Sequence, residues 1–487
     1  MTTKGYQRES KPLEILGEKD VESILQGSFK VLSNTDVRFE SDRALKLLKE
    51  NDCKVDEALN RARFPEGLVK ECLAQCPSSF TLKGRSPKTD VTIGGNILHF
   101  CPSPGMRTID LDTWEQRVPT IEDNHNAVKI IDNLETVHLA ASYTPYCELE
   151  GVPGVMLLPT SAWSRMKYFS KPCRVGASQG NHIWEMQMAE VVGMDVFAAM
   201  EAAPPLTWYS DAIDCAWACA EKNLPVEVGC GAVMGDTSPA TIAGTLVQSL
   251  AEMMAAIVLV QLINPGTGIL ANSFVFAQNM RTGSPAAGGV EVSLFQVAFN
   301  QLWRGKYNIP TMLGACGPSS SEIIDVQLGF EKGISSSLAA VSGASVINIH
   351  GGIHVELTYH PVQSIIDNDI CGMLGRYVEG IRVDDDTLAL DLINEVGPIP
   401  GHFLSSKHTI DWWKKEHFLP KVSDRKSYHD WVRQGKRTIL ENAKSKMEEI
   451  LSSYNPDPPL SDGQNEDLYR ILQEAELYYT KKGLIAQ

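Results

Sequence analysis

The segment VEVGCGAVMGDTSPATIAGTLVQSLAEMMAAIVLVQLINPGTGILANSFVF (226–276) decides the predicted fold, because it reads as a strand, a helix and a second strand in succession. Short apolar runs at 226–231 and 269–276 flank a long apolar stretch. A Ser-Pro pair at 238–239 is a helix-start signal, and Asn-Pro-Gly at 264–266 is a stop signal. A crossover helix between two strands predicts that the strands lie parallel in one sheet.

The apolar stretch 239–263 is also long enough to cross a membrane. However, it carries Gln248, Glu252 and Gln261, and a charge near the centre of a bilayer is expensive. A helix packed against a sheet explains the stretch better, so we expect no contact with a membrane.

The same alternation of apolar runs and longer helical stretches continues from about 116 to 380. The strand-like runs are VHLAASY (137–143), CRVGAS (173–178), LTWYS (206–210), VEVGCG (226–231), ILANSFVF (269–276), PTMLGA (310–315) and SVINIHG (345–351). Seven candidates over this length predict an α/β protein, a (β/α)8 TIM barrel with one strand missed. A doubly wound open sheet is the alternative, but no GxGxxG motif follows the first strand.

The segments on either side of this region are more polar and predict additions to the barrel. We expect residues 1–115 to form an N-terminal mixed α/β extension packed on the barrel, residues 116–380 the barrel itself, and residues 381–487 a C-terminal helical extension. Helical spacing of apolar residues at 427–454 supports the C-terminal helices.

Charge and cysteine content narrow the function classes. The chain has 487 residues, with 44 Lys and Arg against 60 Asp and Glu, a formal net charge of −16. This balance argues against nucleic-acid binding, which needs a basic surface, and favours a small cationic or neutral substrate or a protein partner. Eleven cysteines without a CxxC pair, behind a polar N-terminus, predict reduced thiols, a cytoplasmic location and no tightly bound metal.

In a barrel, the working residues lie at the carboxyl ends of the strands and in the loops that follow. The predicted strands here end mostly in aromatic and amide side chains, with few carboxylates. Aromatic faces attract quaternary ammonium groups, so the pattern predicts a site that holds a cation between rings. The same aromatic residues are also compatible with simple filling of the barrel core.

Four long motifs resemble a known family. PSSFTLKGR (77–85), SPATIAGTL with AEMMAAIVLVQLINPGTGI (238–269), DVQLGFEKG (325–333) and VDDDTLALDLINEVGPIPGHFLSSKHT (383–409) are similar to the trimethylamine methyltransferase superfamily. The resemblance runs from about residue 10 to 480. It implies a (β/α)8 barrel, a homo-oligomer, and transfer of a methyl group from an amine to the cobalt of a separate corrinoid protein in an anaerobic setting.

The chain resembles the branch of this superfamily that lacks pyrrolysine, because its sequence is unbroken across 315–335. That branch acts on quaternary amines, which implies glycine betaine as the favoured substrate, with proline betaine, carnitine and γ-butyrobetaine as alternatives. The corrinoid, as cob(I)alamin, is then supplied in trans by a cognate partner protein. A quaternary nitrogen leaves as a neutral tertiary amine, so the reaction needs positioning and desolvation rather than a general acid.

Position in the sequence suggests the following roles. We expect a carboxylate-binding group in His350, Arg281 and the backbone amides of Gly351 and Gly352, and polar orientation by Asn272, Gln327 and Glu331. The predicted walls around the trimethylammonium group are Tyr143, Tyr146, Trp208, Phe274, Phe276 and Phe330. His350 is the strongest candidate, since it stands between a strand and two glycines.

Three other functions stay open. A zinc-dependent corrinoid methyltransferase needs a ligand cluster that the spacing of Cys and His does not supply. A Schiff-base lyase needs a lysine at a strand end, and the seven runs contain none. A non-catalytic module that binds a betaine or a corrinoid protein is compatible with the same sequence.

Overall fold

A computed structural model describes residues 4–485 as a mixed α/β protein built around one large sheet. The strands are β1 (Tyr6–Gln7), β2 (Val37–Phe39), β3 (Lys54–Asp56), β4 (Arg61–Arg63), β5 (Ser79–Leu82), β6 (Val91–Gly94), β7 (Ile97–Pro102), β8 (Thr108–Ile109), β9 (Gln116–Arg117), β10 (Cys173–Val175), β11 (Val196–Glu201), β12 (Thr207–Trp208), β13 (Val226–Cys230), β14 (Val233–Met234), β15 (Ile269–Ser273), β16 (Phe276–Asn279), β17 (Ser284–Ala286), β18 (Thr311–Leu313) and β19 (Val346–His350). The helices are α1 (Glu18–Asn34), α2 (Asp42–Glu50), α3 (Glu66–Gln75), α4 (Ile121–Asn133), α5 (Leu157–Tyr168), α6 (His182–Val192), α7 (Ser210–Glu221), α8 (Ile242–Ile263), α9 (Val290–Asn300), α10 (Val326–Ser342), α11 (Pro361–Val378), α12 (Asp385–Leu388), α13 (Leu390–Val396), α14 (Lys407–Glu416), α15 (Tyr428–Arg433), α16 (Ile439–Ser453) and α17 (Asp462–Lys481).

The large sheet has eight strands in the order β1-β7-β19-β18-β15-β13-β11-β10. Every pairing in it is parallel except that of the short edge strand β1 with β7. Helices α6 to α11 alternate with the strands from β10 to β19 along the chain, as expected for crossover connections. The predicted α/β class with parallel strands is confirmed.

The sheet curls so that its two ends approach the same segment, 137–140. His138 N–H donates to the Phe100 carbonyl of β7 (3.0 Å), and Arg174 N–H of β10 donates to the Ala140 carbonyl (2.9 Å). The predicted run 137–143 therefore connects β7 and β10, although only an isolated parallel bridge, Ala140 with Cys173, is formed there.

Several strands differ from the sequence-based expectation. The runs predicted at 173–178, 226–231, 269–276, 310–315 and 345–351 each contain a strand of the large sheet. Strand β7 lies in the segment assigned to the N-terminal extension, and β11 was not predicted at all. The predicted strand at 206–210 is reduced to β12, which pairs with β2 in a separate four-stranded sheet.

Helix α8 explains the long apolar stretch. The helix begins at Ile242, later than the Ser-Pro pair at 238–239 predicts. The side chain of Thr241, and not that of Ser238, accepts the N-cap hydrogen bond from Gly244 N–H. The helix is long and apolar enough to cross a membrane by composition alone, but most of it is buried inside the protein, between β13 and helices α1 and α3. Inside the protein, Glu252 Oε1 accepts from Leu206 N–H at 2.8 Å, and Gln261 donates to the Thr267 carbonyl at 2.9 Å. Glu252 Oε2 and the Ser249 hydroxyl are buried without a hydrogen-bond partner among the described residues.

Candidate active site at the carboxyl ends of the parallel strands

A cavity of about 550 Å³ opens where the parallel strands end. Its walls come from six successive strands of the large sheet, from β10 round to β19, and from the loops that follow them. The lining residues are Pro104, Met106, Tyr143, Cys147, Gly154, Leu157, Leu158, Arg174, Ser178, Asn181, Glu201, Ala202, Gly231, Asn272, Phe274, Met312, Gly314, Asn348 and Glu356. This is the position at which α/β proteins of parallel strands bind small molecules.

Arg174 organises the floor of the cavity. Its Nη1 lies 3.1 Å from Glu201 Oε1 and also forms an ion pair with Glu227, while its Nε donates to the Ser142 hydroxyl at 3.1 Å. Burial disfavours the charged guanidinium, but the two carboxylates outweigh that effect, and the pKa of Arg174 lies above its ordinary value. No acceptor within residues 4–485 hydrogen-bonds to its Nη2, so this group can serve a ligand.

Glu227 and Asn272 extend this network on neighbouring strands. The Asn272 amide donates to Glu227 Oε1 at 2.7 Å, and the Glu227 side chain is fully buried. Burial, assisted by the negative charge of Glu201, outweighs the attraction of Arg174 and raises the pKa of Glu227 to about 8. Within the described chain, Glu227 Oε2 and Asn272 Oδ1 are buried without a hydrogen-bond partner.

A third carboxyl group, Glu356, reaches the cavity from the loop after β19. Burial raises its pKa to about 8, against the lowering effect of Arg174 and with the help of Glu201. Two backbone hydrogen bonds fix this loop, from Met106 N–H to the Glu356 carbonyl (3.2 Å) and from Arg107 N–H to the Leu357 carbonyl (3.0 Å). Two carboxyl groups, those of Glu201 and Glu356, therefore line the cavity beside the Arg174 guanidinium, and the buried Glu227 lies behind them. A cationic ligand stabilises the ionised form of such carboxyl groups, so this arrangement favours a cation.

The remaining walls are apolar and aromatic. Phe274 lines the cavity, and its ring meets that of Phe276 edge to face, with centroids 4.6 Å apart. Tyr143 lies on another side, and burial raises the pKa of its phenol to about 12. Met106 and Met312 add polarizable thioethers. Rings and thioethers beside carboxylates suit an organic cation better than a hydrated metal ion.

A buried ion pair holds two of the loops that carry lining residues. Arg165 and Glu185 are fully buried, with Nη2 2.8 Å from Oε2. Arg165 also donates to the carbonyl of Ser142, beside Tyr143, and Glu185 Oε1 accepts from Gly176 N–H at 3.0 Å, just past β10. The pair therefore ties the loop of Tyr143 to the end of the strand that carries Arg174.

Of the predicted site residues, Tyr143, Asn272 and Phe274 line this cavity together. Phe276 packs behind Phe274 and is nearly buried. The others do not line it: Tyr146 is buried against Tyr359, Trp208 is buried in the core at β12, Arg281 lies in an exposed turn, Phe330 is half exposed on α10, and Gln327 and Glu331 bond to each other there.

His350 lies outside the cavity, so the structure does not bring it together with the predicted site residues that line it. Its ring is fully buried, with Nδ1 3.2 Å from the Ser364 carbonyl and Nε2 3.1 Å from the Thr136 hydroxyl. Burial lowers the pKa of His350 to about 3, so the imidazole is neutral and carries no charge for a carboxylate. Gly351 N–H is likewise engaged, by Asp367 at 2.9 Å, and the Cα of Gly352 faces Ser103.

The sequence analysis does not predict the charged residues of the site. For two of them, a charge within an apolar run is a signal that points to a role in the interior. Arg174 stands in CRVGAS and Glu227 in VEVGCG, both apolar runs predicted as buried strands. A charge in such a run must find an opposite charge in the interior. Glu201 was missed because its strand was missed, and Glu356 lies in a loop without a local pattern.

Within residues 4–485, no group of three or more His, Cys, Asp or Glu side chains is placed to hold a metal ion. All eleven cysteines are free thiols.

The fold and cavity define a class, an α/β protein with a cavity at the carboxyl ends of its parallel strands. The sequence matches the family model described as trimethylamine methyltransferase (MTTB) over residues 1–475. The chain belongs to this family, as the motifs indicated.

Three proteins that are similar to this chain are named for different amines. The glycine betaine methyltransferase of Desulfitobacterium hafniense (strain Y51) is 31% identical over 457 residues, which span 91% of this chain and 93% of that protein. The trimethylamine methyltransferase MttB of Desulfitobacterium hafniense (strain DSM 10664 / DCB-2) is 28% identical, with 95% and 94% of the two chains covered. The crystal structure of Methanosarcina barkeri monomethylamine methyltransferase (MtmB) superposes with a TM-score of 0.48 at 13% identity, over 88% of this chain and 92% of that one.

Proposed function

We propose that this protein transfers a methyl group from a quaternary amine, with glycine betaine favoured, to the Co(I) of a separate corrinoid protein and releases the tertiary amine. The family match and the glycine betaine methyltransferase relative support the reaction class. We also propose that the curled sheet is a closed (β/α)8 barrel in which segment 137–140 takes the place of the eighth strand. The hydrogen bonds from His138 N–H to β7 and from Arg174 N–H of β10 to Ala140 support this closure.

The observation that carries the proposal is the charge of the cavity. Glu201 and Glu356 line the cavity with Arg174, which is the one Lys or Arg among the described lining residues, beside the ring of Phe274. Glu227 pairs with Arg174 from behind the cavity wall. A trimethylammonium group is a diffuse cation with an apolar surface, so it gains from carboxylates and from aromatic faces at once.

The substrate carboxylate is assigned to Arg174 instead of His350. Arg174 retains Nη2 for a ligand, and a guanidinium matches a carboxylate geometrically. Asn272 Oδ1 and Glu356 lie on the cavity wall and orient the cationic end, while Tyr143 and Phe274 exclude water from it. The protein thus acts by positioning and desolvation.

The chemistry requires no acid from these residues. The C–N bond breaks with its electron pair left on nitrogen, so a quaternary amine departs as a neutral tertiary amine. The reduced corrinoid of the partner protein supplies the nucleophile, and the methyl carbon forms its new bond to that acceptor. Within this scheme, the protein holds the donor methyl toward the open side of the cavity.

The test is an anaerobic spectroscopic assay with free cob(I)alamin. The protein is mixed with glycine betaine, proline betaine, carnitine, γ-butyrobetaine, choline or trimethylamine, and loss of the Co(I) absorption is followed as methylcobalamin forms. We expect turnover with a betaine, glycine betaine first, and none with trimethylamine. Binding of a betaine without any methylcobalamin would support a non-catalytic binding module instead.

The setting follows from the same proposal. The acceptor is a cognate corrinoid protein, and the reactivity of Co(I) toward oxygen points to an anaerobic cytoplasm, in accord with eleven free thiols.

A further inference from the structure

The loop after β19 reaches the cavity through a tight turn. Residues 351–360 form a short hairpin, in which Ile353 N–H donates to the Thr358 carbonyl at 2.9 Å. The tip of the hairpin is the turn 354–357, closed by a hydrogen bond of 2.7 Å from the N–H of its last residue to the carbonyl of its first. One of the two central residues of this turn is Glu356, which lines the cavity.

The other central residue, Val355, has a backbone conformation that valine rarely adopts. Its φ is 46°, in the left-handed region, where the side chain of a β-branched residue crowds the backbone. Val355 is the one β-branched residue with a positive φ within residues 4–485. A two-residue hairpin turn with a positive φ at its first central position favours glycine there. The chain therefore carries a strained residue directly before a cavity carboxyl group.

Neighbouring segments hold this strained turn from two sides. Val355 N–H donates to the Ser319 carbonyl at 2.7 Å, and Met106 N–H donates to the Glu356 carbonyl at 3.2 Å. The side chain of Val355 is partly buried against the hydrophobic core. Backbone strain persists only where the surrounding contacts over-determine the conformation, and such strain clusters at functional sites.

The conformation of Val355 determines where the Glu356 side chain lies. With an ordinary negative φ, the turn would lose the twist that matches its flanking strands, and the two strands would splay apart. The Glu356 carbonyl would then leave Met106 N–H, and the Glu356 carboxyl would leave the cavity wall. The left-handed conformation is thus required for the position of this carboxyl group.

Inside the cavity, titratable groups from three neighbouring elements face the Glu356 carboxyl. Arg174 lies on β10, Glu201 lies on β11, and Cys147 lies in the loop that also carries Tyr143. Burial raises the pKa of Glu356 to about 8, with the help of Glu201 and against the effect of Arg174. A carboxyl group that moves from the cavity into water regains its ordinary pKa. The position of Glu356 can therefore be measured through its titration.

We propose that Val355 is a positioning residue, whose left-handed backbone holds the hairpin tip in the turn that brings the Glu356 carboxyl into the cavity. The hydrogen bonds of the turn to Ser319 and Met106 offset the strain. The effect of Val355 on substrate binding rests on the proposed function, whereas its effect on the position of Glu356 does not.

The first experiment needs no ligand and follows the thermal unfolding midpoint of the full-length protein between about pH 5.5 and 7.5. A carboxyl group with a raised pKa in the folded protein stabilises the fold less as pH rises through this range, because the folded chain holds its proton more tightly than the unfolded chain. Glu356→Gln should therefore show a shallower fall of the midpoint with pH than the wild type. The other buried carboxyl groups are common to both proteins.

Val355→Pro tests whether Val355 acts through Glu356, because the proline ring fixes φ near about −65°. This variant should show the same shallow fall as Glu356→Gln, and the double variant Val355→Pro/Glu356→Gln should be no shallower than either single variant. Val355→Gly should keep the steep fall, because glycine adopts the left-handed conformation without strain.

Calorimetry with glycine betaine extends the experiment to a ligand. At about pH 8.5, Val355→Pro and Glu356→Gln should each weaken binding about fivefold or more, and the double variant should bind no more weakly than the weaker of the two. Lys436→Pro is the matched control: Lys436 also has a positive φ, of 58°, and its N–H donates to the Trp431 carbonyl at 2.9 Å, but it lies between α15 and α16. The control should keep the pH dependence of the wild type.

A pH dependence of the wild-type kind in Val355→Pro, or additive effects of Val355→Pro and Glu356→Gln, overturns the proposal. If Val355→Pro does not fold, loss of the steep fall in Val355→Gly overturns it, and retention supports it. If the wild-type protein binds none of the quaternary amines, the proposed function fails, and the unfolding midpoints alone decide whether Val355 positions Glu356.

Discussion

Glu356 provides the sharpest test of the cavity, because its protonation should control the binding of a cation. The perturbation is pH, and the group concerned has a pKa of about 8 in the ligand-free protein, raised by burial. A bound quaternary ammonium favours the carboxylate, so its binding lowers this pKa and releases a proton. Affinity therefore rises with pH and levels off once Glu356 is ionised in the free protein.

The expected change in the dissociation constant follows from the Glu356 pKa of about 8. If the pKa falls well below 6.5 in the complex, the fraction of free protein with an ionised Glu356 limits affinity, and the dissociation constant falls about 25-fold between pH 6.5 and 8.5. Glu201 and Arg174 face the same carboxyl group, and Glu227 titrates nearby but does not line the cavity. They shift the midpoint, but the direction of the change stays the same.

The assay is isothermal titration calorimetry of glycine betaine, or of the betaine that turns over, in buffers of different ionisation enthalpy. At pH 8.5, Glu356→Gln should weaken binding by about 1–3 kcal/mol, or roughly 5- to 150-fold, as expected for a carboxylate a few ångströms from a cation. The variant should also lose most of the pH dependence. Glu322→Gln, an exposed glutamate on a neighbouring loop, serves as the control. A pH dependence that persists unchanged in Glu356→Gln would refute the reasoning.

The other predictions concern the walls and supports of the site. Phe274→Ala should weaken betaine binding by about 0.5–2 kcal/mol in calorimetry, whereas Phe330→Ala, at an exposed ring on α10, should not; equal effects would count against the assigned wall. Arg174→Met removes the group that lowers the pKa of Glu227, so urea unfolding should show a stability loss that is largest above pH 8 and smaller at pH 6, where Glu227 is protonated; a loss independent of pH would contradict this. Asp367→Asn leaves Lys332 buried without its counter-ion and should cost about 3–5 kcal/mol of unfolding free energy, while Lys332→Met/Asp367→Leu should cost less; a smaller loss in the single variant would show that the pair is dispensable.

Part of the fold was accessible from the sequence because its physical cause is local. β13, β15 and β19 lie in runs dominated by apolar and β-branched residues, and the strand-helix-strand pattern around α8 is unmistakable. β11 was missed because VFAAME is rich in Ala, Met and Glu, which favour strands weakly. The run 206–210 contains strong strand formers, but it pairs with β2 outside the large sheet. Tertiary contacts, which the local sequence does not reveal, determine this pairing.

The site was less accessible, because its charges cooperate across distant positions. Phe274 and Asn272 lie at the end of one strand, so their position in the sequence is sufficient to predict that they line the cavity. The ion-pair network joins residues from three separate strands, Arg174, Glu201 and Glu227. The sequence alone does not show that these strands bring the three charges together. His350 was expected to bind substrate from its place before two glycines, but the strand directs its ring into the core toward Thr136 and α11.

The central claim is that the cavity selects a permanent positive charge, and a matched pair of ligands tests it most directly. Glycine betaine and 3,3-dimethylbutanoate have the same shape and the same carboxylate, but the second carries carbon where the first carries the quaternary nitrogen. Calorimetry at pH 8.5 should show glycine betaine binding at least tenfold more tightly than its carbon analogue. Equal affinity for the two, or tighter binding of the carbon analogue, would contradict the account.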